Sequence, residues 1–98
     1  MASRHLRFNP MAEAELQNAA AWYDERSPGL GLRFVTAVRR KLDEVLEAPQ
    51  RWPLAAGSRR VLMGRFPYAL VYREVSDDLI EIVAVAHLKR RTGYWTGR

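Results

Sequence analysis

Apolar residues follow two rhythms along this chain, and the change between them predicts its layout. His5 to Phe8 alternates behind Arg4, with Leu6 and Phe8 on one face, which predicts a short first strand. Asn9-Pro10 reads as a helix start. An Asn N-cap accepts from the first turn, and proline has no N–H to leave unpaired at the first helical position. Ala12, Leu16, Ala19 and Tyr23 then recur at helical spacing, giving one face of a helix to about Glu25. Its richness in alanine suits close packing against a neighbour. Ser27-Pro28-Gly29-Leu30-Gly31 breaks this helix, because proline cannot continue the ladder and the glycines permit a tight turn. A second helix is expected from about Gly31 to Glu47, with Phe34, Val38, Leu42, Val45 and Leu46 on one face and Pro49 ending it. So short a connection predicts an antiparallel helical hairpin.

After a loop through Trp52-Pro53-Leu54 and Gly57 the rhythm shortens. Arg59 to Met63, Ala69 to Val75 and Leu79 to His87 have strand composition. Their separators, Gly64 to Tyr68 and Ser76 to Asp78, are short enough for an antiparallel meander. In the middle run Leu70 and Tyr72 face one way, Val71 and Arg73 the other. The last run is apolar almost throughout, as a central strand covered on at least one face should be. The expected fold class is α+β: an N-terminal strand and a two-helix antiparallel hairpin packed on a small antiparallel β-sheet, in a single domain over residues 1–98.

Composition narrows the classes. A hydrophobic share of 48% excludes a disordered chain. The absence of cysteine removes disulfides, thiol nucleophiles and thiolate metal sites. No apolar run approaches the roughly 20 residues of a membrane helix, and the start of the chain lacks a signal-peptide apolar region. A soluble, cytoplasmic protein without membrane contact is expected. Cations and acids balance in residues 1–50, so the whole net charge of +5 lies in residues 51–98. Of sixteen cations only Lys41 and Lys89 are lysines. Arginine's planar fork suits oxyanions, although a GC-rich genome produces the same bias.

The candidate chemistry concentrates late in the chain. The strand ending at His87 passes into a segment holding Lys89, Arg90, Arg91, Tyr94, Trp95 and Arg98, with no acid after Leu88. Such a segment suits an anionic partner, since cations pair with phosphates and rings stack on bases. It suits an acidic protein surface equally. The plainer alternative is a solvated basic tail with Tyr94 and Trp95 folded back on the core. Arg59, Arg60, Arg65 and Arg73 cannot all point into a core, so some should share the uncovered sheet face. No phosphate loop, nucleophile elbow or metal-ligand spacing occurs, so neither cofactor nor metal is expected. A lone histidine at a strand end, as His87 is, is usually structural, and Trp22-Tyr23 and Trp52 read as packing.

Taken in order, several short pieces resemble the RelE/ParE superfamily of toxins from type II toxin–antitoxin systems. They are Ala12-Glu13-Ala14-Glu15-Leu16, Trp22-Tyr23, Pro28-Gly29-Leu30-Gly31 with Arg33-Phe34, and Pro49 with Pro53. They continue with Arg60, Phe66-Pro67-Tyr68, Val71-Tyr72, Ile82, and Ala84-Val85-Ala86-His87 followed by Arg90, Tyr94 and Trp95. The resemblance is nearest to the ParE-like, plasmid-stabilisation branch. It implies two helices against a small antiparallel sheet and a growth-arresting toxin. It also implies a cognate antitoxin that wraps it with an acidic segment in a hetero-oligomer. ParE-like members inhibit DNA gyrase by protein–protein contact. RelE-like members are metal-independent endoribonucleases (mRNA interferases) that cut mRNA on the ribosome, for which His87, Arg73 and Tyr94 would be the catalytic residues here, with Arg60 as a further phosphate clamp. The loop before Arg59 departs from the RelE-like pattern in lacking lysines. The resemblance therefore implies a gyrase-directed toxin first and a ribosome-dependent endoribonuclease as the alternative. Under the first, Arg59, Arg60, Arg65, Arg73, Lys89, Arg90, Arg91, Tyr94 and Trp95 are the expected binding residues.

Overall fold

A computed structural model describes residues 4–98. Strand β1 (His5–Phe8) leads into helix α1 (Pro10–Arg26), where the Asn9 side chain accepts from the Met11 N–H at 2.9 Å and Pro10 begins the helix. Helix α2 (Leu30–Glu47) follows after Gly29, whose left-handed backbone (φ 88°) makes the reversal possible. The two helices lie in close contact at Gly31. A Cβ there would run into the Ala20 carbonyl and the Asp24 carboxylate, and the Gly31 N–H donates to Asp24 Oδ1 at 2.7 Å. Helix α1 buries only the small Ala12 and Ala19, whereas α2 buries Phe34, Val38, Leu42 and Val45. Helix α1 packs on both α2 and the last strand.

The sheet holds β2 (Leu54–Ala55), β3 (Ser58–Leu62), β4 (Tyr68–Ser76) and β5 (Leu79–His87) beside β1, in the order β1-β5-β4-β3-β2. The expected meander is present, since β3, β4 and β5 pair antiparallel. Two features differ from the expectation. The sheet is mixed, because β1 lies parallel to β5, with His5 opposite Leu79 and Phe8 opposite Ile82. The helical hairpin carries the chain away between these strands, so no local pattern specifies which edge β1 joins or in which direction. The stretch read as a loop also contains β2, joined to β3 by Ala56 and Gly57, both at positive φ. That is the two-residue turn whose twist suits a β-hairpin. A strand of two residues has no alternation to detect.

A register shift in β5 decides which side chains reach the helices. Val71 pairs with Ala84 but Tyr72 pairs with Ile82, leaving Val83 as an extra residue. Ile80 and Ile82 face the helices, and beyond the bulge so does Val85, while Val83, Ala84 and Ala86 join Val71 on the opposite face. The bulge thereby aims His87 to the helical side, where its ring meets Tyr68 edge-on at 5.0 Å. On that side Tyr23, Phe34, Phe66 and Tyr68 form an aromatic cluster with centroids 5.0–6.4 Å apart. Tyr72 is fully buried and donates to the Pro49 carbonyl at 2.6 Å, which ties the end of α2 to the sheet. Burial pushes its hydroxyl up to about 12, so it stays a donor.

Two substitutions check this account. Gly31→Ala should destabilise the protein by about 1–3 kcal/mol, because backbone must shift to admit the methyl group. Tyr72→Phe leaves a buried carbonyl without its donor and should cost about 1–2 kcal/mol. Denaturant midpoints measured on the purified variants read both losses directly.

Candidate functional site

The segment after β5 folds back on the molecule through a series of turns. The Arg90 N–H donates to the His87 carbonyl, the Tyr94 N–H to Arg91, the Thr96 N–H to Gly93 and the Arg98 N–H to Trp95. Gly93 and Gly97 both take positive φ. Tyr94 and Trp95 meet edge-on at 5.3 Å and cover Val71, Val83, Ala84 and Ala86 on the face that the helices leave open. Both rings are half-buried. The apolar half of the tail is thus packing surface, and its cations are what remain exposed.

The tail is fastened by Glu15 of α1. This carboxylate accepts from Tyr94 Oη at 2.8 Å, from both Arg98 terminal nitrogens at 2.8 and 3.0 Å, and from the Val85 N–H at 3.0 Å. Arg98 also donates to the Val83 carbonyl at 3.1 Å. Burial works to raise the Glu15 carboxyl, but the bonds from Arg98, Tyr94 and Val85 outweigh it and hold the group below the usual carboxylate range. Burial, and next the hydrogen bond to Glu15, drive Tyr94 strongly upward, so its hydroxyl keeps its proton. Tyr68 is also raised, by burial first and then by the neighbouring Tyr23 and Glu15.

Two clefts flank the tail. The larger, about 710 Å³, runs between α1 and the end of β5 and is lined by Glu15, Asn18, Trp22, Tyr68, His87, Arg90 and Tyr94. Arg90 stacks over the Tyr94 ring at 3.8 Å, and Arg26 covers Trp22 at 3.4 Å. The second, about 370 Å³, lies on the opposite sheet face and includes Arg60, Arg73 and Trp95. Between them Arg60, His87, Arg90 and Trp95 meet around a depression of only about 10 Å³.

These placements divide the expected site residues. Arg60, His87, Arg90 and Trp95 come together. Arg73 does not line the cleft of His87 and Tyr94. It pairs instead with Glu81, which Arg7 also contacts at 3.3 Å, in a cross-strand ladder with Arg7 and Arg73 in register on either side. Arg59 points to the helical side, donating to Glu74 at 2.8 Å and to the Trp52 carbonyl at 2.6 Å. Arg65 stands exposed between β3 and β4, and Lys89 and Arg91 are exposed on the tail. The His87 Nδ1 accepts from the Lys89 N–H at 3.0 Å. Sequence reasoning passed over Glu15 and Glu81 as site groups. Both carried a signal: Glu15 shares the buried stripe of Ala12 and Ala19, and Glu81 interrupts an otherwise apolar strand. Among the described residues no cluster of histidine and acids is arranged to hold a metal, and no helix is long and apolar enough to cross a membrane.

The Glu15 clasp has a pH signature. Because the carboxyl is more acidic in the fold than in the unfolded chain, its contribution is complete above the ordinary glutamate value of 4.5. It is lost as pH falls through the lower folded value. Glu15→Gln should be less stable than wild type at neutral pH. It should also lose less further stability on acidification from about pH 5 to 3, a difference that thermal melts across that window would reveal.

A family model described as the ParE toxin of the type II toxin–antitoxin system parDE matches residues 6–92. A solved structure, the chromosomal ParDE toxin–antitoxin system from P. aeruginosa, superposes with a TM-score of 0.74 at 19% identity. That alignment covers 91% of this chain and 98% of the other, and at this identity it shows a shared fold. No curated protein matches the chain. The family match spans nearly the whole of the two-helix hairpin, the sheet and the start of the tail, and the chain belongs to the ParE toxin family of type II toxin–antitoxin systems.

Proposed function

We propose that this toxin arrests growth in the cytoplasm by binding DNA gyrase and trapping it on cleaved DNA, until its antitoxin occupies it. A parDE toxin has an antitoxin as its partner. The observation that carries the gyrase reading is how the candidate acid–base and phosphate-clamping groups are occupied. The Tyr94 hydroxyl donates its hydrogen bond to Glu15, Arg73 pairs with Glu81, Arg59 pairs with Glu74, and Arg73 stands in a different cleft from Tyr94. A general acid must be free to pass its proton to substrate, whereas a binding surface needs only exposed complementary charge. Arg60, Arg65, Lys89, Arg90 and Arg91 supply that charge and make no ion pair among the described residues.

A RelE-like endoribonuclease is the second reading, favoured by one observation. Arg60, His87 and Arg90 converge on a common depression, and two cations beside an imidazole can serve phosphoryl chemistry.

Purified toxin added to gyrase and plasmid DNA should accumulate cleaved DNA and leave RNA intact. Arg90→Ala should weaken this effect by about 3- to 10-fold through slower encounter, and His87→Ala should change it less than about 2-fold. Mapping RNA 5′ ends minutes after induction gives the opposing result for a nuclease. Codon-phased cuts would then appear, and His87→Ala would abolish about 100-fold of the cleavage.

A further inference from the structure

Strand β1 stops at Phe8, opposite Ile82, and the Asn9 N–H closes the pairing by donating to the Ile82 carbonyl at 2.9 Å. From Val83 onward the outer edge of β5 has no strand beside it. Side chains satisfy part of that edge: Arg98 donates to the Val83 carbonyl, and Glu15 accepts from the Val85 N–H. The Leu88 N–H points the other way, toward β4, donating to the Pro67 carbonyl at 2.9 Å. Alternation therefore turns the Val85 carbonyl and the His87 N–H outward. Neither has a partner among the described residues, and both residues line the cleft of about 710 Å³.

A carbonyl and an N–H two residues later stand side by side on a strand edge, an acceptor next to a donor. They complement a flat ring that carries a donor next to an acceptor. Purine bases have such an edge. Adenine sets an exocyclic amino group beside a ring nitrogen, and guanine sets a ring N–H beside its oxygen. A base lying in the plane of the sheet would meet both backbone groups at once. The cleft walls suit its faces, with Asn18 and Trp22 of α1 on one side and Tyr94 of the tail on the other. The Trp22 side chain is 49% exposed, so the core does not use up its ring. Aromatic rings take bases by stacking. The volume also falls within the roughly 300–1,000 Å³ typical of small-molecule sites.

The charge of the cleft extends the match from a base to a nucleotide. The one carboxylate lining it, Glu15, is neutralised by Arg98 at 2.8 Å. Arg90 lies over the Tyr94 ring at 3.8 Å and makes no ion pair among the described residues. The His87 Nδ1 accepts from the Lys89 N–H at 3.0 Å, so in the neutral ring Nε2 carries the proton and is a donor. A guanidinium and an imidazole N–H thus stand at the end of the cleft where the His87 amide points outward, and both suit a phosphate. We infer that the cleft between α1 and the tail is a binding site for a purine nucleotide. The Val85 carbonyl and the His87 N–H read the edge of the base, Trp22 and Tyr94 flank its faces, and Arg90 with His87 takes the phosphate. This site does not depend on which target the toxin attacks.

Titration of the full chain with AMP, read by calorimetry and by backbone amide resonances, tests this. AMP should bind at least about 10-fold tighter than adenosine, which has the same base but offers Arg90 no charge. Purine riboside 5′-monophosphate lacks the exocyclic amino group and should bind about 5- to 10-fold more weakly than AMP. The His87 amide resonance should shift on saturation with AMP. Arg90→Gln should lower AMP affinity to that of adenosine and leave adenosine binding unchanged, which separates a lost charge contact from a displaced tail. Inorganic phosphate binding as tightly as AMP, with the His87 amide unmoved, would show an anion site alone and overturn the inference. The absence of binding at millimolar AMP would overturn it too. Neither result bears on the gyrase reading, which the cleaved-DNA assay tests separately.

Discussion

The carboxylate of Glu15 accepts from a helix-facing strand amide, a tail phenol and a tail guanidinium, and these contacts join α1, β5 and the segment after it. Each donor answers a separate problem. The Val85 amide would otherwise sit part-buried at an edge with no strand beside it, Tyr94 would bury a hydroxyl without an acceptor, and Arg98 would bring an unpaired charge against the sheet. One acceptor group resolves all three, because an ionised carboxylate has lone pairs enough for several donors. The price of burying that charge is met by the same bonds, which is why the group remains ionised.

The bulge at Val83 complements this clasp. It lets a single strand serve two different surfaces, with Ile80, Ile82 and Val85 under the helices and Val83, Ala84 and Ala86 under Tyr94 and Trp95. Without the extra residue Val85 and His87 would exchange faces with Ala84 and Ala86. The large cleft would then lose its histidine, and the aromatic cover of the tail would meet bulkier side chains. A local irregularity in one strand thus sets the chemistry of the candidate surface.

The same logic separates the arginines. Those with a carboxylate in register or in reach, Arg59 and Arg73 among them, hold strands together. Arg60, Arg65, Arg90 and Arg91 make no ion pair among the described residues and, with Lys89, give the molecule its exposed positive surface. This division fits a protein whose work is recognition, because exposed charge steers encounter while paired charge fixes shape.

Much of this architecture was legible from the chain alone. The i, i+4, i+7 spacing of α1, the amphipathic α2, the proline and glycine between them and the three later strands each follow from local periodicity, which backbone geometry enforces residue by residue. The folding back of Tyr94 and Trp95 was only the plainer of the alternatives that their composition left open, and no periodicity decided it. The parallel placement of β1, the two-residue β2 and the Val83 bulge were not legible, because each depends on a partner strand distant in sequence. The candidate site divides along the same line. Sequence determined that cations and aromatics crowd the end of the chain. Tertiary structure alone decided that Glu15 captures two of them, that Glu81 and Glu74 neutralise Arg73 and Arg59, and that Arg60, His87 and Arg90 meet. A charge's role depends on which opposite charge the fold brings within hydrogen-bonding distance, and that distance is not a local property of the chain.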